Sequence, residues 1–70
     1  MNNINVRFAK RLKDLRKKKK LTQEELAHLA DIDYKYVQRL EGKSPSSPTL
    51  NVLEKLAKAF NVSLSKLLDF

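Results

Sequence analysis

Seventy residues amount to one small domain, with no room for a second core or a deep substrate cleft. With no Cys and a single His, the chain cannot form disulfides, thiolate zinc sites, cysteine nucleophiles or multi-histidine metal centres. Fifteen Lys and Arg against eight Asp and Glu give a formal charge of +7, which points to an anionic partner, either nucleic acid or a membrane surface. No apolar run approaches bilayer-spanning length, and residues 1–5 lack the basic start and apolar block of a secretory signal. A cytoplasmic protein is expected.

The charge is unevenly placed. Residues 7–20 hold nine basic side chains and one acid, Asp14, while the rest of the chain carries six basic and seven acidic groups. Ile4, Phe8, Leu12 and Leu15 fall at helical intervals with Lys10, Lys13 and Lys17 facing away, which predicts an amphipathic helix over about residues 4–18. Lys17, Lys18, Lys19 and Lys20 close it. They complement the helix dipole, and they also attract a polyanion at long range with a salt-dependent strength.

Thr22 and Glu25 have the spacing of a capping box, so a second helix opens at Thr22 and carries Leu26, Ala27, Leu29 and Ala30. Asp33 is suited to cap a third helix, and Gly42, the only glycine, to the left-handed position just past its end. Residues 44–48, with two prolines among serines, read as a loop. Leu50, Leu53, Leu56, Ala57 and Phe60 mark a fourth helix, and Ser63 caps a short fifth one carrying Leu64, Leu67 and Leu68. No segment alternates like a strand. The expected architecture is all-α, a compact five-helix bundle with residues 1–70 forming one domain.

The C-terminal cluster of Val62, Leu64, Leu67, Leu68 and Phe70 is more apolar surface than one short helix easily covers. It closes the core, forms a homodimer seam, or does both, with Leu64, Leu67, Leu68 and Phe70 as the candidates for the seam.

The most informative stretch runs from residue 22 to 42. Two short helices joined by a tight turn need a small residue where they cross, supplied by Ala27, and apolar residues that pin them together, supplied by Leu26, Ile32, Val37 and Leu40. On the third helix Tyr36, Val37 and Leu40 point one way. Tyr34, Lys35, Gln38 and Arg39 share the other face, where Arg and Lys can donate to guanine and Gln can pair with adenine in a major groove. The free amides at the start of the second helix favour a phosphate near Thr22 and Gln23. Tyr36 lies at the rim, where its hydroxyl can reach a phosphate or its ring can simply pack.

The segments Leu12 to Arg16, Leu21 to Ala27, Tyr36 to Gly42 and Pro48 to Ala57 together resemble the Cro and phage-repressor (XRE-type) helix-turn-helix family over nearly the whole chain. The resemblance implies a lambda-repressor-like fold and a regulator that binds double-stranded DNA, usually as a homodimer on a palindromic operator. It places base contacts on Tyr34, Lys35, Gln38 and Arg39, a backbone contact on Gln23, and a phosphate-contacting loop at Lys43, Ser44 and Ser46. It also implies a structural ion pair between Arg16 and Glu41. Asp31 and Lys20 stand where the family commonly has glycine; Asp tolerates a left-handed backbone, whereas Lys is costlier there.

No cofactor or metal is expected. His28 reads as a surface residue, and Glu24, Glu25, Asp31, Asp33 and Glu54 converge with no nucleophile, so no enzyme is expected. A competing reading makes the basic first helix a module for an anionic membrane or an acidic protein. That reading needs an apolar stripe that the core also needs. A phage-type repressor, a restriction-modification controller and an antitoxin remain equally open at this point.

Overall fold

The computed structural model describes residues 3–70, so part of the opening stretch used to argue against a secretory signal lies outside it. Five helices follow one another: α1 (Ile4–Lys18), α2 (Gln23–Ala30), α3 (Tyr34–Glu41), α4 (Leu50–Phe60) and α5 (Leu64–Leu67). There is no strand among the described residues.

Each helix start is built by a side-chain cap. Asn3, Thr22, Asp33, Thr49 and Ser63 each accept a hydrogen bond from a backbone N–H in the first turn of the helix they precede. At Thr22 the capping box is complete: Thr22 Oγ1 accepts from the Glu25 N–H at 3.0 Å, and the Thr22 N–H donates to Glu25 Oε1 at 2.8 Å.

Three helix ends share one device. After α1, α2 and α4 the chain turns through a left-handed residue, Lys20 (φ 59°), Asp31 (φ 55°) and Asn61 (φ 58°). The next N–H reaches back to a carbonyl five residues earlier, Leu21 to Arg16, Ile32 to Ala27 and Val62 to Ala57, each at 3.0 Å. This is the Schellman arrangement, and the apolar residue that follows the left-handed position packs on the core in all three cases. Asp and Asn adopt this backbone readily; Lys does so at a cost of about 1–2 kcal/mol. Lys20→Gly is therefore expected to raise the unfolding free energy by about 0.5–1 kcal/mol, after glycine's own entropy loss is set against the relief. Urea unfolding in the absence of DNA measures it, and a variant less stable than the parent contradicts the assignment.

α2 packs on α3 and α4, α1 on α3, and α5 on α4. The core they enclose comprises Phe8, Leu12, Leu15, Leu26, Ala27, Ala30, Val37, Leu40, Leu56, Ala57, Phe60 and Leu67. Ala27 is buried where α2 meets its neighbours, and a larger side chain there would force the helices apart.

Several expectations need correction. Ile4 extends the helical stripe by spacing but is 66% exposed, one turn before the first core residue, Phe8. Leu29 and Leu50 also stand in solvent. Gly42 is extended, not left-handed (φ −78°, ψ −174°). Close approach is what suits glycine there: an added Cβ would lie 3.2 Å from the Gln38 carbonyl oxygen. Leu67 is fully buried and closes the core, so it cannot present itself to a second subunit. The flanking Leu64, Leu68 and Phe70 remain exposed.

α1 also anchors the C-terminal segment. Arg11 donates to the carbonyls of Leu67 at 3.2 Å and Lys66 at 2.6 Å, satisfying acceptors at the end of α5. The Arg7 guanidinium donates to the Phe70 carbonyl and lies 5.3 Å from the centre of its ring, which rests against Phe8.

Candidate nucleic-acid interface

α3 divides cleanly between inside and outside. Val37 and Leu40 are buried, while Tyr34, Lys35, Gln38 and Arg39 are exposed. None of those four side chains is tied up by a hydrogen bond or ion pair among the described residues. The Asp33 side chain accepts from the Lys35 N–H at 2.8 Å, which fixes the first turn and so the direction in which this face points.

Tyr36 is half-buried with its ring against the core, and its hydroxyl makes no hydrogen bond among the described residues. Lys43 and Ser44 are exposed just past α3, and Ser46 is half-buried. The loop is tied to α1 by the Ser47 hydroxyl, which donates to Asn5 Oδ1 at 3.1 Å.

A charged network sits behind this face. Arg16 Nε donates to Glu41 Oε2 at 2.8 Å and Arg16 Nη2 to Glu41 Oε1 at 3.0 Å, a two-pronged pair joining α1 to the end of α3. Arg16 Nη1 donates to the Leu21 carbonyl at 2.8 Å. Gln23 Nε2 donates to Glu41 Oε1 at 3.1 Å, so Gln23 is half-buried and held rather than waving at a helix start.

The hydrogen bond to Glu41 raises the Arg16 pKa, burial opposes this, and the Glu41 charge adds to the rise. A raised cation pKa contributes stability that is complete below the unfolded value and lost as pH rises through the folded one. That window lies in strong alkali, so Arg16's own titration leaves stability flat across neutral pH.

The basic segment is less available than its composition suggests. Arg7 and Arg11 hold the C-terminal segment, Arg16 holds Glu41, and Lys10 pairs with Asp14 at 3.0 Å. Lys13 and Lys17 to Lys20 remain exposed and unpaired among the described residues. Nothing local in the sequence marks Arg7 and Arg11 as structural, because the carbonyls they hold lie more than fifty residues away in the chain. The Gln23 to Glu41 bond had no local signal, because its partners are eighteen residues apart.

No group of three or more His, Cys, Asp or Glu side chains able to hold a metal ion occurs among the described residues. His28 is exposed.

The sequence profile described as helix-turn-helix matches residues 12–67. The chain belongs to the XRE-type helix-turn-helix family of DNA-binding regulators. It is similar to the control protein C.MunI of a Mycoplasma species, 38% identical over 68 residues that cover 96% of this chain and 90% of that protein. Among solved structures it is similar to the restriction-modification controller protein C.AhdI from Aeromonas hydrophila. The TM-score is 0.84 at 36% identity, covering 90% of this chain and 94% of that one. The N-terminal DNA-binding domain of SinR from Bacillus subtilis gives a TM-score of 0.80 at 32% identity, covering 90% and 91% of the two chains.

The membrane or acidic-protein alternative is not favoured. The apolar stripe of α1 is spent on Phe8, Leu12 and Leu15 in the core, and no described helix is long and apolar enough to cross a membrane. The family is one of regulators, not of enzymes.

Proposed function

We propose that the chain is a sequence-specific transcriptional regulator that binds a palindromic operator as a homodimer, in the restriction-modification controller class. The observation that carries this reading is the exposed face of α3. With its side chains an α-helix is about 10–12 Å across, which matches the roughly 12 Å width of a B-form major groove. Lys35 and Arg39 donate to guanine O6 and N7, Gln38 pairs with adenine N6 and N7, and Tyr34 reads at the leading end. Thr22, Gln23, Tyr36, Lys43, Ser44 and Ser46 hold phosphates and set the register, while Lys17 to Lys20 supply a sequence-independent field. No cofactor takes part. The controller class is preferred over a phage-type repressor or an antitoxin because relatives named as control proteins match along nearly their whole length.

The dimer seam is assigned to Leu64, Leu68 and Phe70, each about two-fifths exposed. Ile4, Leu53, Leu68 and Phe70 line one shallow depression of about 170 Å³, which a second copy can fill. Such a dimer places two recognition helices about 34 Å apart, in successive major grooves.

Selection of random duplexes on the purified protein tests the reading. It is expected to return an inverted repeat with half-sites one helical turn apart. Enrichment of no sequence, or of an unrepeated one, contradicts it. Leu64→Asp with Leu68→Asp is expected to give monomers by sedimentation with the fold intact, since both side chains start in solvent. A persistent dimer moves the seam elsewhere. Leu67→Asp is unsuitable for this purpose, because a charge at that buried position unfolds the domain.

A further inference from the structure

We propose that Glu41 is a positioning residue for DNA binding: it holds the Gln23 carboxamide in one orientation and presents that group's second N–H to a phosphate. The inference rests on the assignment of Gln23 to a phosphate made above, and adds what orients it.

A carboxylate only accepts hydrogen bonds, so the nitrogen and not the oxygen of the Gln23 amide must face Glu41 Oε1, 3.1 Å away. The amide nitrogen carries two hydrogens, and only one is used in this bond. Glu41 is itself immobile, with its side chain 1% exposed and gripped twice by Arg16, which is fixed in turn on the Leu21 carbonyl. Gln23 therefore approaches a phosphate with its side-chain torsions already set, and the rotamer entropy that a free glutamine loses on binding has been lost on folding.

Two carboxylates share the first turn of α2: Glu25 is held on the Thr22 N–H, and Glu24 is left as the exposed acid beside Gln23. Arg16 neutralises Glu41, so the anchoring carboxylate brings no unbalanced negative charge to the phosphate. The Gln23 and Glu24 backbone N–H groups in the same first turn make no hydrogen bond among the described residues. The Thr22 N–H and the Glu25 N–H are already satisfied by the capping box.

A double-mutant cycle in duplex binding tests the proposal, using a short mixed-sequence duplex and correcting each affinity for the folded fraction. Gln23→Ala is expected to weaken binding roughly tenfold, the loss of one hydrogen bond to a charged acceptor. Glu41→Gln, whose amide can no longer offer two acceptor oxygens, is expected to weaken it by a similar factor. The double variant is expected to bind no more weakly than the worse single one. Losses that multiply would leave Gln23 at the phosphate and overturn the role of Glu41. A Gln23→Ala variant that binds like the parent removes Gln23 from the phosphates, and the proposal falls with that assignment.

Should Glu41→Gln fail to fold, ¹⁵N relaxation of the unmodified protein decides. The Gln23 side-chain amide is expected to be as ordered as the α2 backbone and far more so than that of exposed Gln38. Equal mobility of the two amides overturns the proposal.

Discussion

Glu41→Ala is expected to lower the unfolding free energy by about 3–5 kcal/mol, the usual loss when one partner of a buried ion pair is removed. Arg16 would keep its charge with a side chain only 12% exposed and no carboxylate to face. Gln23 would lose its acceptor as well. A domain of this size holds about 4–10 kcal/mol in total, so the variant stands close to its unfolding midpoint at room temperature. DNA binding would fall with the folded fraction and, beyond it, with the loss of the anchor for Gln23. Arg16→Met combined with Glu41→Leu should recover much of the loss, because the desolvation of both charges disappears with them. Recovery stays incomplete, since the Leu21 carbonyl and the Gln23 amide lose a partner in the double variant. Urea unfolding followed by circular dichroism gives both values, and a Glu41→Ala protein within 1 kcal/mol or so of the parent would show the network to be dispensable.

Replacing Lys17 to Lys20 together with Gln is expected to have the largest effect on affinity without altering sequence choice. All four side chains are exposed and free of ion pairs among the described residues, so their charge is available to the surroundings. Each phosphate neutralised contributes about 0.9 to the slope of log affinity against log salt. Loss of two such contacts makes the slope shallower by about 2 and weakens binding near 0.1 M salt on the order of 10–100-fold. The enriched sequence should be that of the parent, because a lysine at a phosphate carries no base information. Binding isotherms at several salt concentrations read the slope directly, and an unchanged slope places the run away from the duplex.

Helix boundaries were legible because they depend on local chemistry. Thr22 with Glu25, Asp33 and Ser63 each announce a helix start within four residues, and the structure uses all of them as caps. The inward face of α3 was equally plain, since Val37 and Leu40 are the apolar residues at helical spacing inside a short segment. What escaped depends on neighbours distant in the chain. Spacing cannot choose among Leu64, Leu67 and Leu68 in and just past a helix of four residues; packing against the rest of the fold, α4 included, makes Leu67 the buried one. Ile4 and Leu50 obey the helical period but lie where no other element covers them. Gly42 was assigned by the usual preference of glycine past a helix end, whereas the crowding comes from the Gln38 carbonyl. The basic stretch of α1 looked uniform in sequence because nothing local distinguishes Arg7 and Arg11, which bind the C-terminal segment, from the lysines that follow.

The exposed face of α3 as the reader of bases is the claim on which the proposed function stands, and it is tested most directly by comparing the duplexes enriched by the parent protein with those enriched by Lys35→Ala and by Arg39→Ala. Each variant is expected to lose discrimination at one position per half-site, worth about 1–3 kcal/mol, while the other positions stay as they were. Base preferences unchanged in both variants would contradict the assignment.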